Sequence, residues 1–90
     1  MDRVAAIRER LQQQLQATDI VIIDESHKHA GHAGARESGG GHFRVKVVSA
    51  KFRNELPVTR HRMVYAAVAD LIPHHIHALS INALDPDEQE

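Results

Sequence analysis

The first third of the chain predicts an amphipathic helix followed by a buried strand. In residues 2–17, apolar side chains recur every three or four positions with Arg, Glu and Gln between them, which is the spacing of a helix that buries one face. Asp2 is suited to cap the first turn, because its carboxylate can accept hydrogen bonds from free backbone N–H groups there. Residues 19–24 are rich in β-branched side chains and too few for a helix, so we expect a buried strand.

The middle of the chain predicts a loop and a second strand. Residues 26–41 are small, polar and glycine-rich and end in three consecutive glycines, a composition typical of a flexible loop. Residues 42–49 alternate apolar and polar side chains, which indicates a strand with one buried face. We expect this strand to pair antiparallel with the first across the loop, and residues 50–56 to form a short helical connector.

The last third predicts a second helix, a third strand and a tail. Pro57 fits the first turn of a helix that runs to about Ile72, where Pro73 ends it. The third strand covers residues 77–83, and the acidic tail 85–90 is expected to fray. The predicted inner stripe of the helix is His61, Val64, Tyr65, Val68, Leu71 and Ile72. One face of the strand is predicted to carry His77, Leu79, Ile81 and Ala83.

These elements predict an α+β fold in a single domain over residues 1–90. The order α-β-β-α-α-β buries its apolar stripes most simply as a three-stranded mixed sheet with the helices on one face. The third strand should run parallel to a neighbour, because the second helix provides the crossover from the second strand.

Composition narrows the class of function. The chain is 42% hydrophobic and 26% charged, as in an ordinary globular protein, and no apolar run approaches the length of a membrane span. A net charge of −1 argues against a broad surface for polyanions. The polar start does not resemble a signal peptide, so we expect a cytoplasmic protein without a membrane partner. Without cysteine there is no thiol nucleophile, and no catalytic triad is evident, so we expect no enzyme.

Histidine is the most informative residue type in the chain. There are eight histidines and no cysteine, and most of the histidines fall in two clusters, within residues 26–32 and 73–77. Imidazole is a common metal ligand, and two histidines can replace two cysteines on one iron of a [2Fe–2S] cluster. A chain without cysteine can supply only that half of such a site, so a partner would have to bring the sulfur. Two alternatives stay open: His77 as a half-buried structural residue, and a histidine-rich binder of divalent metal that acts alone.

A local group of basic residues suggests a different function. These residues, near the start of the second helix, are Lys51, Arg53, Arg60 and Arg62. Phosphate oxygens would suit them, although one tyrosine and two phenylalanines offer no obvious platform on which bases could stack. A solvated helix face that meets acidic residues of a partner is the alternative interpretation.

Four ordered segments resemble the BolA family over nearly the whole chain. They are Asp24-Glu25-Ser26, Gly41-His42-Phe43-Arg44-Val45, Arg60-His61-Arg62-Met63-Val64-Tyr65-Ala66-Ala67 and Ile76-His77-Ala78-Leu79-Ser80-Ile81. The resemblance implies a class II KH-like fold and a monothiol glutaredoxin as partner, with the free chain a monomer or weak dimer. It also implies a [2Fe–2S] cluster shared with glutaredoxin and glutathione.

The resemblance also implies which residues hold the cluster. The ligand in the third strand falls on His77 and the loop ligand on His29, with His27 and His32 as alternatives on the same loop. The implied function is a non-enzymatic adaptor in iron–sulfur cluster delivery or iron homeostasis. Some relatives are described as transcriptional regulators, so a DNA-binding regulator that uses the basic, helix-turn-helix-like region is the alternative. The segment Phe52-Arg53-Asn54-Glu55-Leu56-Pro57 contains no GXXG loop of the kind with which KH modules clamp nucleic acid, which weakens that alternative.

Overall fold

The predicted order of elements is confirmed. The structure, a computed structural model, describes residues 2–26 and 41–89. The regular elements are α1 (Arg3–Leu15), β1 (Asp19–Asp24), β2 (Gly41–Val48), α2 (Pro57–Ala67) and β3 (Ile76–Leu84). Short 3₁₀ helices cover Ala50–Phe52, Ala69–Leu71 and Pro86–Glu88. The predicted loop 26–41 is described only at its two end residues.

Helix α1 forms as its sequence pattern predicts. The carboxylate of Asp2 accepts a hydrogen bond from the backbone N–H of Ala5 at 3.1 Å, which caps the first turn. The helix ends at Leu15, and the next residue, Gln16, adopts a left-handed backbone conformation with φ 51°. Its buried residues are Ile7, Leu11 and Leu15, the apolar stripe of the sequence.

The sheet has the strand order β1-β2-β3. Strand β1 runs antiparallel to β2, with Asp19 opposite Val48 and Asp24 opposite Phe43. Strand β3 runs parallel to β2, with Phe43 opposite Leu79. The second helix thus makes the crossover that a parallel connection requires, as the sequence predicts.

The predicted face of β3 is correct except at His77. Gly41 lies opposite Ile76 and His42 lies opposite Ala78, so β3 contains one extra residue at this point. Such an irregularity reverses the alternation of side chains. Ile76 is therefore buried and His77 is exposed, whereas Leu79, Ile81 and Ala83 pack against the core as expected.

The core lies between the two helices and one face of the sheet. The sheet contributes alternate residues of β2 and the helices contribute their apolar stripes, with Phe52 of the connector completely buried. The buried side chains of this layer include Phe43, Val45, Val47, Ile7, Leu11, Val64, Val68, Leu71 and Ile76. The opposite face of the sheet is not covered by a described helix, and Val21 and Ile23 on it are 42% and 49% exposed.

The end of α2 and the width of its buried stripe differ from the sequence prediction. Helix α2 ends at Ala67, and residues 69–71 tighten into a 3₁₀ turn. The residue before a proline avoids the helical conformation, and Ile72 before Pro73 is extended, with φ −100° and ψ 136°. The buried stripe of α2 is also narrower than predicted, because His61 and Tyr65 are exposed.

The C-terminal tail is more ordered than predicted. Asp85 caps the 3₁₀ helix Pro86–Glu88: its carboxylate accepts a hydrogen bond from the backbone N–H of Asp87, and it forms a capping box with Glu88. The Glu88 carboxylate in turn accepts a hydrogen bond from the backbone N–H of Asp85 at 2.8 Å. Two reciprocal caps hold this turn against fraying.

Replacing Leu71 tests the position of the core. Leu71 is 2% exposed, so Leu71→Ala should reduce the free energy of unfolding by about 2–5 kcal/mol through lost burial and a residual cavity. The matched control is Leu56→Ala, because Leu56 is 69% exposed and its loss should change stability by less than about 0.5 kcal/mol. Urea denaturation of both variants gives the comparison. Equal losses would contradict the burial of Leu71.

Candidate functional site

Two histidines meet where the parallel strands begin. Because β2 and β3 run in the same direction, their first residues lie at the same end of the sheet. The rings of His42 and His77 are neighbours there, with centroids 5.0 Å apart and planes inclined by 42°. His77 is exposed, whereas His42 is only partly accessible. The extra residue in β3 therefore presents one imidazole outward from a strand and places a second beside it.

The two ends of the 26–41 segment are fastened to this same end of the sheet. Ser26 Oγ accepts a hydrogen bond from the backbone N–H of His42 at 3.1 Å, and the backbone N–H of Glu25 donates to the carbonyl of His42 at 2.8 Å. The backbone N–H of Gly41 donates to the carbonyl of His75 at 3.1 Å. The segment that contains His27, His29 and His32 therefore starts and ends beside the His42–His77 pair.

Close packing at this junction requires glycine at position 41. A Cβ atom at Gly41 would lie 2.5 Å from Ser26 Oγ and 2.8 Å from the Phe43 ring. Both distances are shorter than the van der Waals contact distance of a carbon atom, so any side chain at position 41 would displace Ser26 or the buried Phe43 ring. The glycine that ends the triglycine run is thus a packing requirement of the site.

The described residues do not form a complete metal site. Within residues 2–26 and 41–89, no three His, Asp or Glu side chains come together as a metal-binding group. His77 offers one exposed nitrogen donor, and the chain has no thiolate to add. Any metal held here would need ligands from residues 27–40 or from another molecule. His27, His29 and His32 lie outside the described residues, so their predicted roles stay predictions.

The other histidines are separate from this pair. His61 is exposed on α2, and His74 is exposed in the turn before β3. His75 in the same turn is partly buried, and its backbone N–H donates to the carbonyl of Leu71 at 2.9 Å. The main chain of His75 therefore helps to place the start of β3.

Arg60 does not fit its predicted role as a phosphate contact. Its side chain is 11% exposed. The guanidinium donates to the carbonyl of Glu55 at 2.9 Å and to that of Ala83 at 3.1 Å, and it pairs with the Glu88 carboxylate. Arg60 thus joins α2, the preceding turn, β3 and the C-terminal 3₁₀ helix. This role has no signal in the local sequence, because the partners are 5 to 28 residues away along the chain.

The rest of the basic group is accessible but dispersed. Lys51 Nζ donates to the carbonyl of Gln14 at 3.3 Å, and Arg53 pairs with Asp87 at 3.3 Å. Arg62 is exposed, and no ion pair joins it to another described residue. Lys51 and Arg53 lie on the connector and Arg62 lies on α2, so the three side chains do not form a continuous basic helix face.

Comparison with known proteins identifies the family. A family profile described as BolA, BolA-like protein, matches residues 11–88. The chain belongs to the BolA family. The structure of BolA1 from Arabidopsis thaliana superposes with a TM-score of 0.82 at 36% identity and covers 100% of this chain and 99% of its own. The solution structure of mouse BolA1 gives a TM-score of 0.76 at 39% identity, covering 97% of this chain and 68% of the mouse chain. The α+β fold predicted from the sequence is therefore the BolA fold.

Curated relatives carry more than one description. Protein BOLA1, chloroplastic, of Arabidopsis thaliana is 42% identical over 97% of this chain and 56% of its own length. SufE-like protein 1, chloroplastic/mitochondrial, of the same plant is 40% identical over 91% of this chain and 23% of its own. The chain thus spans about half or less of these two relatives. A protein of Escherichia coli, 34% identical over 93% of this chain and 80% of its own, is named DNA-binding transcriptional regulator BolA.

The cytoplasmic location stays a prediction, since two of these relatives are named for organelles. No helix in the described ranges combines the length and apolar character needed to span a membrane.

The Arg60–Glu88 pair predicts a pH-dependent contribution to stability. The hydrogen bond from Arg60, followed by that from the Asp85 backbone, lowers the pKa of the Glu88 carboxyl. A carboxyl group whose pKa is lower in the folded than in the unfolded protein adds to the free energy of unfolding at pH values above its unfolded pKa. This contribution is lost as the pH falls through the pKa of the folded state. Glu88→Gln should therefore be less stable than wild type at neutral pH, and the difference should shrink below about pH 4.

Thermal unfolding measured between neutral pH and about pH 3 tests this expectation. Glu55→Gln is the matched control, because no hydrogen bond or ion pair of its carboxylate appears among the described residues. A deficit in Glu88→Gln that stayed constant over the whole pH range would show that the charge of Glu88 is not the source.

Proposed function

We propose that the protein is a non-enzymatic adaptor that binds a monothiol glutaredoxin and co-ligates a shared [2Fe–2S] cluster. His77 supplies one ligand and His29 the other, while glutaredoxin and glutathione supply the sulfur. The adaptor acts in cluster delivery or iron homeostasis. Family membership supports the broad assignment, and the exposed His77 supports the specific one.

The position of His77 is the observation that carries this proposal. A histidine that alternated normally with Leu79 would point into the core, but the extra residue in β3 turns His77 outward. The ring stands on a strand that is hydrogen-bonded to β2, so its position is fixed without burying its nitrogens. A fixed, accessible imidazole suits a ligand offered to a cluster that another protein carries.

The donor set fits a shared site better than a resident one. Iron–sulfur clusters accept two histidines in place of two cysteines, which leaves two positions for thiolates from elsewhere. The described part of the chain brings no third His, Asp or Glu to His77 and its neighbour His42. An incomplete set of nitrogen ligands requires a partner to complete the site. Protons also compete with the metal for the imidazole nitrogen, which suits release of a cluster.

His42 is suited to support His77. Its ring lies 5.0 Å from that of His77, and its backbone is held by Ser26 and Glu25. A side chain beside a ligand can restrict the rotation of the ligand ring and tune its basicity. The supporting residue is thus supplied by β2, directly beside the strand that bears the ligand.

Replacing the proposed ligands tests the function. His77→Ala should abolish or strongly weaken the cluster in the reconstituted complex with monothiol glutaredoxin and glutathione. His29→Ala should have a smaller effect, because His27 or His32 in the same segment can substitute. Replacing all three should match His77→Ala. The measurements are visible absorption and circular dichroism of the complex, with binding of the cluster-free proteins measured separately by calorimetry.

The control is His61→Ala, which removes an exposed imidazole from α2. It should retain the spectrum of the wild-type complex. An unchanged cluster spectrum for His77→Ala would disprove the ligand assignment. Stoichiometric binding of Zn²⁺ by the chain alone, without any cluster in the presence of glutaredoxin, would instead indicate a histidine-rich metal binder.

A DNA-binding regulator is the second candidate, and two observations support it. Relatives from Escherichia coli and Haemophilus influenzae are named DNA-binding transcriptional regulator BolA. Arg62 is exposed on α2 and makes no ion pair with a described residue, so its guanidinium is available for phosphate.

The salt dependence of duplex binding tests this candidate. Arg62→Gln should weaken binding to a duplex and lower the slope of log K against log salt by about 1, as expected for the loss of one phosphate contact. The control is Arg3→Gln, which removes one positive charge at the start of α1. Equal slopes for wild type and Arg62→Gln would exclude a phosphate contact by Arg62.

A further inference from the structure

The uncovered face of the sheet carries two unlike rows of side chains. On β1, Val21 and Ile23 are 42% and 49% exposed. On β2, Arg44 and Lys46 alternate with buried residues and point to the same side. The register places Val21 opposite Lys46 and Ile23 opposite Arg44. An aliphatic row therefore lies beside a basic row, about 5 Å away across the strands.

The third strand completes the surface with neutral polar groups. Ser80 lies opposite Arg44 and Asn82 opposite Lys46. A shallow cavity of about 220 Å³ runs across the three strands and is lined by Val21, Ile23, Arg44, Lys46, Ser80 and Asn82, among others. We call this set of six residues the open-face patch. Aliphatic, basic and polar strips lie next to one another across it.

Acidic side chains limit the patch at both ends. Asp19 pairs with Lys46 at 3.3 Å, and Glu25 pairs with Arg44 at 3.5 Å. The side chains of Asp19 and Lys46 are 43% and 34% exposed, and accessible ion pairs contribute little to stability, so a carboxylate of another molecule can replace Asp19 at small cost. Arg44 is 58% exposed whereas Glu25 is only 15% exposed, so a second carboxylate can reach Arg44 from the open side while Glu25 stays in place. The acids also repel a long polyanion that extends beyond the patch. The distance between them along β1 is six residues, or roughly 20 Å.

We infer that the open-face patch is a docking surface for an amphipathic helix of a partner protein, with a column of carboxylates beside a column of aliphatic side chains. Residues i and i+4 of a helix are about 6 Å apart, close to the spacing of about 7 Å between alternate residues of β2. Carboxylates at this spacing meet Arg44 and Lys46. The adjacent column at i+3 and i+7 then falls on Val21 and Ile23.

The chemistry of the patch favours a helix over nucleic acid. A second helical layer is the usual cover for the free face of a sheet. A span of roughly 20 Å between the acidic ends matches a helix of about 13 residues. Single-stranded nucleic acid is held mainly by stacking on aromatic rings, and none of the six residues of the patch is aromatic. This inference does not depend on cluster ligation, since His77 is not part of the patch.

A designed peptide tests the surface directly. The probe is a fluorescein-labelled synthetic helix of about 18 residues, long enough to be partly helical in isolation, with a Glu column beside a Leu column on an alanine background. The comparison peptide has Lys in place of Glu. Fluorescence anisotropy should show binding of the Glu peptide to the wild-type protein at least about tenfold tighter than of the Lys peptide, because a like charge opposite Arg44 and Lys46 is repelled.

Two pairs of variants separate the charged and the aliphatic contributions. Arg44→Gln should weaken binding of the Glu peptide about fivefold, whereas Arg3→Gln on α1 should not. Ile23→Ser should weaken it by a similar factor, whereas Val58→Ser on α2 removes an equally exposed apolar side chain and should have no effect. Amide chemical shifts should move on the three strands at the patch. Circular dichroism checks that each variant is folded.

Several outcomes would overturn the inference. They are absence of binding by the wild-type protein, equal affinity for the Glu and Lys peptides, and equal effects of a variant and its control. Changes in amide chemical shift confined to α1 and α2 would place the peptide on the helices and not on the uncovered face of the sheet. Tighter binding of a single-stranded oligothymidine than of the Glu peptide, with shifts on the same strands, would assign the patch to nucleic acid instead.

Discussion

The parallel pairing of β2 and β3, with one extra residue at His77, is the constraint on which the candidate site depends. Parallel strands bring His42 and His77 to the same end of the sheet, and the extra residue lets Ile76 stay buried while His77 turns outward. With regular alternation from Leu79, His77 would face the core, where an imidazole needs a buried hydrogen-bond partner. A local irregularity of the sheet thus converts a structural position into an accessible ligand position.

Arginine side chains in this protein have either a structural role or an accessible position on the surface, and the extent of their burial distinguishes the two. Arg60 is enclosed, and its donors are used by two carbonyls and a carboxylate, so its removal would take a donor from both carbonyls and break the ion pair with Glu88. Arg44 and Arg62 are exposed, and water can replace any partner they lose. Identical residue types therefore have different roles, and the role depends on how many fixed acceptors surround the guanidinium. A group of basic residues in a sequence does not reveal that number.

Local periodicity accounts for what the sequence could predict. The stripe of α1, the β-branched run of β1 and the alternation of β2 each repeat within a few residues, so the elements and their order were predictable. The exposure of His77 and the role of Arg60 depend on contacts between distant segments. The extra residue in β3 has no local signal, because His77 continues the apparent alternation of Leu79 and Ile81. Gly41 gave a partial signal, since its glycine run marks a turn but not the close contact with Ser26.

Strand β2 links the core to both candidate surfaces. Its odd-numbered residues from Phe43 to Val47 build the core against the helices, while His42, Arg44 and Lys46 point to the other side. Because side chains alternate strictly, a shift of one residue in its pairing would bury the charges and expose the core at once. Pairing on both edges and the Gly41–Ser26 contact oppose such a shift. The forces that fix the core therefore also fix the spacing of the basic row and the position of His42 beside His77.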